Sequence, residues 1–178
     1  MGASPFLVSV ARLRHQLGAV APCALEGPFD PDGELAAVSP GESEVPSGGI
    51  ARFDGQLESI PKGVVVTGVV TSPWAGECRR CAGEVTGEVR VTVRERYLEG
   101  VGPEDEEAYG FEGDLIDLGP MVRDAVVLEL PLAPLCREDC KGLCVQCGAD
   151  LNEGACSCEA PLDPRWASLE ALRQPEEG

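Results

Sequence analysis

Aromatic residues make up only 4% of this 178-residue chain, and histidine occurs once. A core with so few rings has to be built from Val, Leu, Ala and Ile. The single His15 sits in a polar stretch and reads as an exposed residue. Basic residues are also scarce: 14 Lys and Arg stand against 31 Asp and Glu, a formal net charge of −17. That balance disfavours a protein whose whole surface embraces nucleic acid or anionic lipid, while leaving room for a local basic patch. No apolar run approaches the roughly 20 residues of a membrane span. The opening residues, Met1 to Arg12, contain no basic segment followed by a long apolar run, so no signal peptide is expected. Phe6 stands where a myristoylation start wants Ser or Thr. The expected location is cytoplasmic. Catalytic signatures are missing as well: no Gly-x-Gly-x-x-Gly, no phosphate loop and no nucleophile elbow. The acids Glu104 to Glu107 read as a charge run on a solvated loop. With no catalytic set in view, the chain is expected not to be an enzyme.

What the chain has in quantity is turn formers and cysteine. The 22 Gly and 15 Pro imply many turns and rule out a helical bundle. The length suits one domain, or one with a small appendage, able to bury roughly 70% of its unfolded surface. Three parts are expected: an N-terminal strand with Pro/Gly-rich loops over 1–49, an antiparallel sheet with one helix over 50–134, and a cysteine-rich metal-binding segment with a terminal helix over 135–178. The fold class is therefore α+β. Strands are predicted at Phe6–Val10, Ile50–Ile60 and Val64–Thr71, the last two joined by a turn at Pro61-Lys62-Gly63. Residues 27–49 and Glu99–Gly113 read as loops.

A further strand, Val85–Tyr97, alternates with period two. Val85, Val89, Val91, Val93 and Tyr97 share one face; Thr86, Glu88, Arg90, Thr92, Arg94 and Arg96 share the other. Asp117 is placed to cap a helix with Pro120 in its first turn, and Leu118, Met121, Val122, Ala125 and Val126 recur at helical spacing. Pro131 and Pro134 end it. A last short helix is expected after Asp163-Pro164, carrying Trp166, Leu169 and Leu172.

The chain carries nine cysteines. Cys23 stands alone and reads as a small buried hydrophobe. The others fall into close groups: Cys78/Cys81, Cys136/Cys140, Cys144/Cys147 and Cys156/Cys158. In a cytoplasmic setting, where structural disulfides are rare, such groups read first as metal ligands. Four thiolates suit tetrahedral Zn²⁺, although the spacing does not name the metal. Gly148 after Cys147, and Gly83 two places after Cys81, would admit the positive φ that turns backbone N–H groups toward the sulfurs. Eight thiolates make two sites, so two zinc ions are expected. The favoured division unites Cys144, Cys147, Cys156 and Cys158 locally, leaving Cys78 and Cys81 to meet Cys136 and Cys140 across the fold. The rival division joins Cys136, Cys140, Cys144 and Cys147. Purely thiolate ligation, with no position kept for water, points to structural rather than catalytic metal.

The run Asp139-Cys-Lys-Gly-Leu-Cys-Val-Gln-Cys-Gly-Ala-Asp-Leu-Asn152 resembles the signature end of the YceD family of bacterial proteins, named for accumulation of large-subunit ribosomal RNA. Glu77-Cys-Arg-Arg-Cys81 resembles its other mark, and Ile116–Pro131 its helix. The resemblance spans about residues 55–172. It implies a cytosolic, non-enzymatic factor supporting large-subunit rRNA accumulation or ribosome biogenesis. Its partner would be a large-subunit precursor or a ribosomal protein. Some family members lack much of the last cysteine run, which supports a first site from Cys78, Cys81, Cys136 and Cys140 and a second, optional one.

Arginine is the residue type that could touch RNA. Arg90, Arg94 and Arg96 share the polar side of one strand, and Arg79 and Arg80 lie in the adjacent cysteine turn. Alternate strand positions lie roughly 6–7 Å apart, close to phosphate spacing. Glu88 on the same side favours an ordinary solvated face instead. Two other readings stay open. One is a thiol-based redox or metal-sensing switch at Cys78 and Cys81, whose neighbours Arg79 and Arg80 would lower a thiol pKa. The other is a protein–protein adaptor without RNA contact.

Overall fold

A computed structural model describes residues 4–29, 43–101, 108–158 and 165. Among them, a long hairpin organises the rest. β4 (Ile50–Ile60) and β5 (Gly63–Glu77) are joined by a two-residue turn in which Lys62 takes φ 63°. β5 pairs along its whole length with β6 (Glu84–Glu99). Val64, Val66 and Val70 of β5 share one face of the sheet with Tyr97, Val93 and Val89 of β6 and Phe53 and Leu57 of β4, and all are buried. Apart from Leu57 their side chains are β-branched or aromatic, in period two, which suits a pleated surface covered on one side.

Strands also lie where none was predicted. β2 (Val20–Pro28) pairs antiparallel with β4 from Val20↔Glu58 to Pro28↔Ile50. Pro22 and Pro28 disguise it. β2 is the edge of the sheet, where a residue without an N–H is tolerated. Cys23 sits in it, 7% exposed, as a small hydrophobe of the core. β7 (Ala108–Phe111) falls inside the stretch read as a solvated loop. It pairs parallel to β6, from Arg96↔Ala108 to Glu99↔Phe111, so the sheet is mixed rather than antiparallel. What holds β7 there is non-local: the Tyr109 ring stacks on Tyr97 at 5.1 Å and 18°. A two-residue strand, β3 (Ser43–Glu44), pairs β5 beyond the end of β4, and β1 (Leu7–Ser9) pairs β8 (Leu115–Asp117) as a separate ribbon.

The helix α1 (Gly119–Glu129) follows β8 directly. Pro120 sits in its first turn as expected. Asp117 is displaced by one position from the cap, Leu118, yet its Oδ1 accepts the Gly119 N–H at 2.8 Å and the Ser4 hydroxyl at 2.7 Å. Met121, Val122 and Val126 are buried; on the far side Leu128 is 85% exposed. The expected helix after Asp163-Pro164 lies outside the described residues, apart from Arg165. Among the described residues, no helix is long and apolar enough to cross a membrane.

Candidate metal centre

The turn between β5 and β6 is the first half of the site. Cys78 N–H donates to the Gly83 carbonyl and Ala82 N–H to the Cys78 carbonyl, both at 2.8 Å. The segment after α1 repeats this pattern eight positions into its own cysteine run. Cys144 N–H donates to the Ala149 carbonyl and Gly148 N–H to the Cys144 carbonyl, again at 2.8 Å. Both Cys-x-x-Cys pairs therefore close the same knuckle. Its fifth residue needs a left-handed backbone. Gly148 supplies it at φ 72°, and Ala82, not Gly83, supplies it in the first knuckle at φ 55°.

Each knuckle meets a second cysteine pair. The sulfurs of Cys78, Cys81, Cys136 and Cys140 lie within 4.8 Å of one another, and so do those of Cys144, Cys147, Cys156 and Cys158. This is the division favoured from sequence; Cys136 and Cys140 do not group with Cys144 and Cys147. Cys78 and Cys140 Sγ are 3.9 Å apart and Cys81 and Cys136 Sγ 3.7 Å. A tetrahedron with metal–sulfur bonds of about 2.3 Å has an S–S edge of about 3.8 Å, so the first cluster has the size of a four-thiolate zinc shell. The single residue between Cys156 and Cys158 does not keep both sulfurs from the second cluster.

The thiols do not share protons evenly. Cys78 is held down to about 6, chiefly by the backbone N–H of Cys136, with the Arg80 and Cys81 N–H groups helping against burial. Cys140 is desolvated, which raises it, but the Asn152 side-chain amide and the Gly142 N–H bring it below its usual value. Cys136 is pushed up to about 12 by its neighbour Cys140 and by burial. Cys81 is raised by Cys78 and burial, although the Gly83 N–H opposes this. In the second cluster Cys144 falls to about 6 through the Cys147 and Gln146 N–H groups, and Cys158 rises to about 12 beside Cys147. In the first cluster two thiols thus shift down and two up, because thiolates packed this closely repel. A central divalent cation would remove that conflict and let all four ionise.

The two clusters are wired together. Asn152 Nδ2 donates to Cys140 Sγ at 3.4 Å, while Asn152 Oδ1 accepts the Lys141 N–H at 2.8 Å. Asp150 Oδ1 fixes the Asn152 amide at 2.7 Å. Sequence reasoning missed this role, for which Asp150-x-Asn152 between the cysteine groups was the available signal. Gly142, φ 76°, packs against Arg80: a Cβ there would lie 2.7 Å from the Arg80 carbonyl oxygen. That carbonyl accepts the Leu143 N–H at 3.0 Å.

The five arginines singled out from sequence are divided by the fold. Arg80 is used as a staple: its guanidinium donates to the Glu138 and Cys140 carbonyls at 3.0 and 2.8 Å. Arg79 is exposed in the same turn. Arg90, Arg94 and Arg96 are exposed on the sheet face away from α1, opposite Thr71, Thr67 and Val65 of β5. Among the described residues the ion pairs involve Arg14, Arg52 and Arg137, and none of these three. His15 is exposed.

Comparison with known proteins agrees with this framework. The sequence model of the family described as large ribosomal RNA subunit accumulation protein YceD matches residues 66–173, a stretch holding all eight clustered cysteines. An uncharacterised protein of Mycobacterium tuberculosis is 37% identical over 181 residues, covering 98% of this chain and 84% of its own. One from Mycobacterium leprae is 38% identical over 130 residues, 70% of this chain and 60% of its own. The protein named large ribosomal RNA subunit accumulation protein YCED homolog 1, chloroplastic, of Arabidopsis thaliana is 40% identical over 60 residues, 33% of this chain and 19% of its own. No solved structure matches. With the family's pattern spanning most of β5, all of β6, the helix and both thiol clusters, the chain belongs to the YceD family of large ribosomal RNA subunit accumulation proteins.

Proposed function

We propose that this protein is a zinc-stabilised, non-enzymatic cytoplasmic factor that supports accumulation of large-subunit rRNA during ribosome biogenesis. The observation that carries the reading is the family match over residues 66–173, which takes in both cysteine clusters. Two structural zinc ions fit the donor sets, four sulfurs each with no position reserved for water. The first ion would tie the β5–β6 turn to the segment beyond α1; the second would close the local loop from Cys144 to Cys158. The partner is a large-subunit precursor particle or one of its proteins. Arg90, Arg94 and Arg96 are the residues offered for rRNA contact, because they are exposed, aligned and without an acidic partner among the described residues in a chain of net charge −17.

Depletion of the protein in growing cells tests the reading. The expected result is a fall in the ratio of large- to small-subunit rRNA, with capture of large-subunit particles on the tagged full-length chain. An unchanged ratio together with no captured particle would overturn it.

A further inference from the structure

Five consecutive residues of β6, Val91 to Glu95, line a cavity of about 800 Å³ whose opposite wall is α1. Successive side chains of a strand point to opposite faces, so a cavity over one face would be lined by alternate residues. Lining by consecutive residues places it over the strand's edge. Among the described residues that edge has no partner before Arg96. β5 takes the other side of β6 throughout, and β7 pairs only Arg96–Glu99. Alternate N–H and C=O groups between Glu84 and Glu95 are thus ladder positions open to another strand. The facing wall on α1 offers Ala125, Val127 and Leu128, the last 85% exposed. Arg123 lines the same cavity, and its Nε is shielded from solvent without a hydrogen-bond acceptor among the described residues. A shielded guanidinium N–H of that kind wants a carbonyl oxygen.

We propose that this groove docks an extended, basic polypeptide segment of another protein, which adds as a strand to the β6 edge and lays an apolar side chain against Leu128. A row of strand N–H and C=O groups matches a polypeptide backbone and has no counterpart in a nucleic acid. Charge chooses among polypeptides. A second copy of this chain would bring −17 against −17, whereas a basic segment is attracted. The groove itself carries Glu95, Asp124 and Glu129 against Arg94 and Arg123. The inference goes beyond the rRNA reading and stands whether or not the arginine face meets RNA.

The test is an amide-resolved NMR titration of the full chain with a capped eight-residue peptide alternating Lys and Val, and with its Glu–Val counterpart. The expected result is shifts confined to Val91–Glu95 and the Ala125–Leu128 turn, with the basic peptide only. Leu128→Asn, exposed and so harmless to folding, should weaken binding about tenfold or more, the loss expected for one apolar side chain. Arg123→Gln should weaken it too. The inference is overturned if the basic peptide causes no shifts at millimolar concentration, if shifts fall elsewhere, or if L128N binds equally. It is also overturned if the edge amides are already protected from exchange in the free monomer, or if the chain dimerises through this edge.

Discussion

Single residues in this protein are held against their own preferences, and those positions give sharp tests. Tyr97 is 1% exposed, and its hydroxyl is shielded with no hydrogen-bond partner among the described residues. An unmade buried hydrogen bond costs about 1–3 kcal/mol, while the ring's packing survives loss of the oxygen. Tyr97→Phe should therefore be neutral or stabilising by about 1 kcal/mol, read by chemical denaturation. A loss of 1 kcal/mol or more would mean that the hydroxyl has a partner. Ala82 holds a left-handed φ of 55° where the second knuckle uses Gly148. The left-handed region costs a residue with a Cβ roughly 1–2 kcal/mol. Ala82→Gly should stabilise the chain by about 1 kcal/mol, and Gly148→Ala should destabilise it by a similar amount. Opposite signs in a pair of denaturation curves are the check.

At the level of elements, the two knuckles differ in what they connect. Cys78 and Cys81 lie between the two longest strands, and their partners Cys136 and Cys140 follow α1. Cys78→Ser should release one metal ion per chain and lower the melting temperature of the whole molecule, because metal-binding free energy at that site is also folding free energy. Cys156→Ser should likewise release one ion yet leave the sheet's amide-exchange protection unchanged, since its cluster is closed within residues 144–158. Native mass spectrometry with exchange measurements separates the two. Equal loss of sheet protection in both variants would mean that the clusters act as one unit, coupled through Asn152. The outer face of β6 carries a different expectation. Replacing Arg90, Arg94 and Arg96 by Glu should leave folding intact, since exposed substitutions usually change stability by about 0.5 kcal/mol or less. It should weaken association with pre-ribosomal particles, most at low salt. Undiminished association would put the contact elsewhere.

The whole molecule should be sensitive to alkali. Burial raises the Cys23 thiol above 9.0, and burial raises the hydroxyls of Tyr97 and Tyr109 above 10.0, with Asp124 adding to the effect at Tyr109. A group whose folded-state pKa is raised contributes stability that is fully present below its unfolded pKa and is lost as pH rises above that value. Stability should hold up to about pH 9 and then decline, with Tyr97 alone adding about 1.4 kcal/mol per pH unit beyond 10. Urea midpoints from pH 7 to 11 in reducing buffer measure it. Tyr97→Phe should flatten the decline above pH 10, which distinguishes the buried ring from general repulsion at −17.

Sequence alone determined what depends on neighbours along the chain. The hairpin from Ile50, the period-two strand ending at Tyr97, the helix with Pro120 in its first turn and the two Cys-x-x-Cys knuckles are local patterns. A period of two or 3.6, or a two-residue cysteine spacing, is set by covalent geometry wherever the chain goes. The knuckle cysteines were legible for this reason, and so was the exposure of Arg90, Arg94 and Arg96. Tertiary structure decided what depends on chain return. Whether Cys136 and Cys140 join Cys78 or Cys144 rests on α1 carrying the chain back to the β5–β6 turn, where Arg80 then binds the Glu138 and Cys140 carbonyls. β2 was hidden by two prolines that only an edge position permits, and β7 by an acidic, Gly-containing stretch that non-local contacts hold in place: the Tyr97–Tyr109 stack, the burial of Phe111 and the ladder to β6. The open edge of β6 is of the same kind. Its residues read as an ordinary strand, and the absence of a neighbour before Arg96 among the described residues is a property of sheet order, which no local pattern encodes.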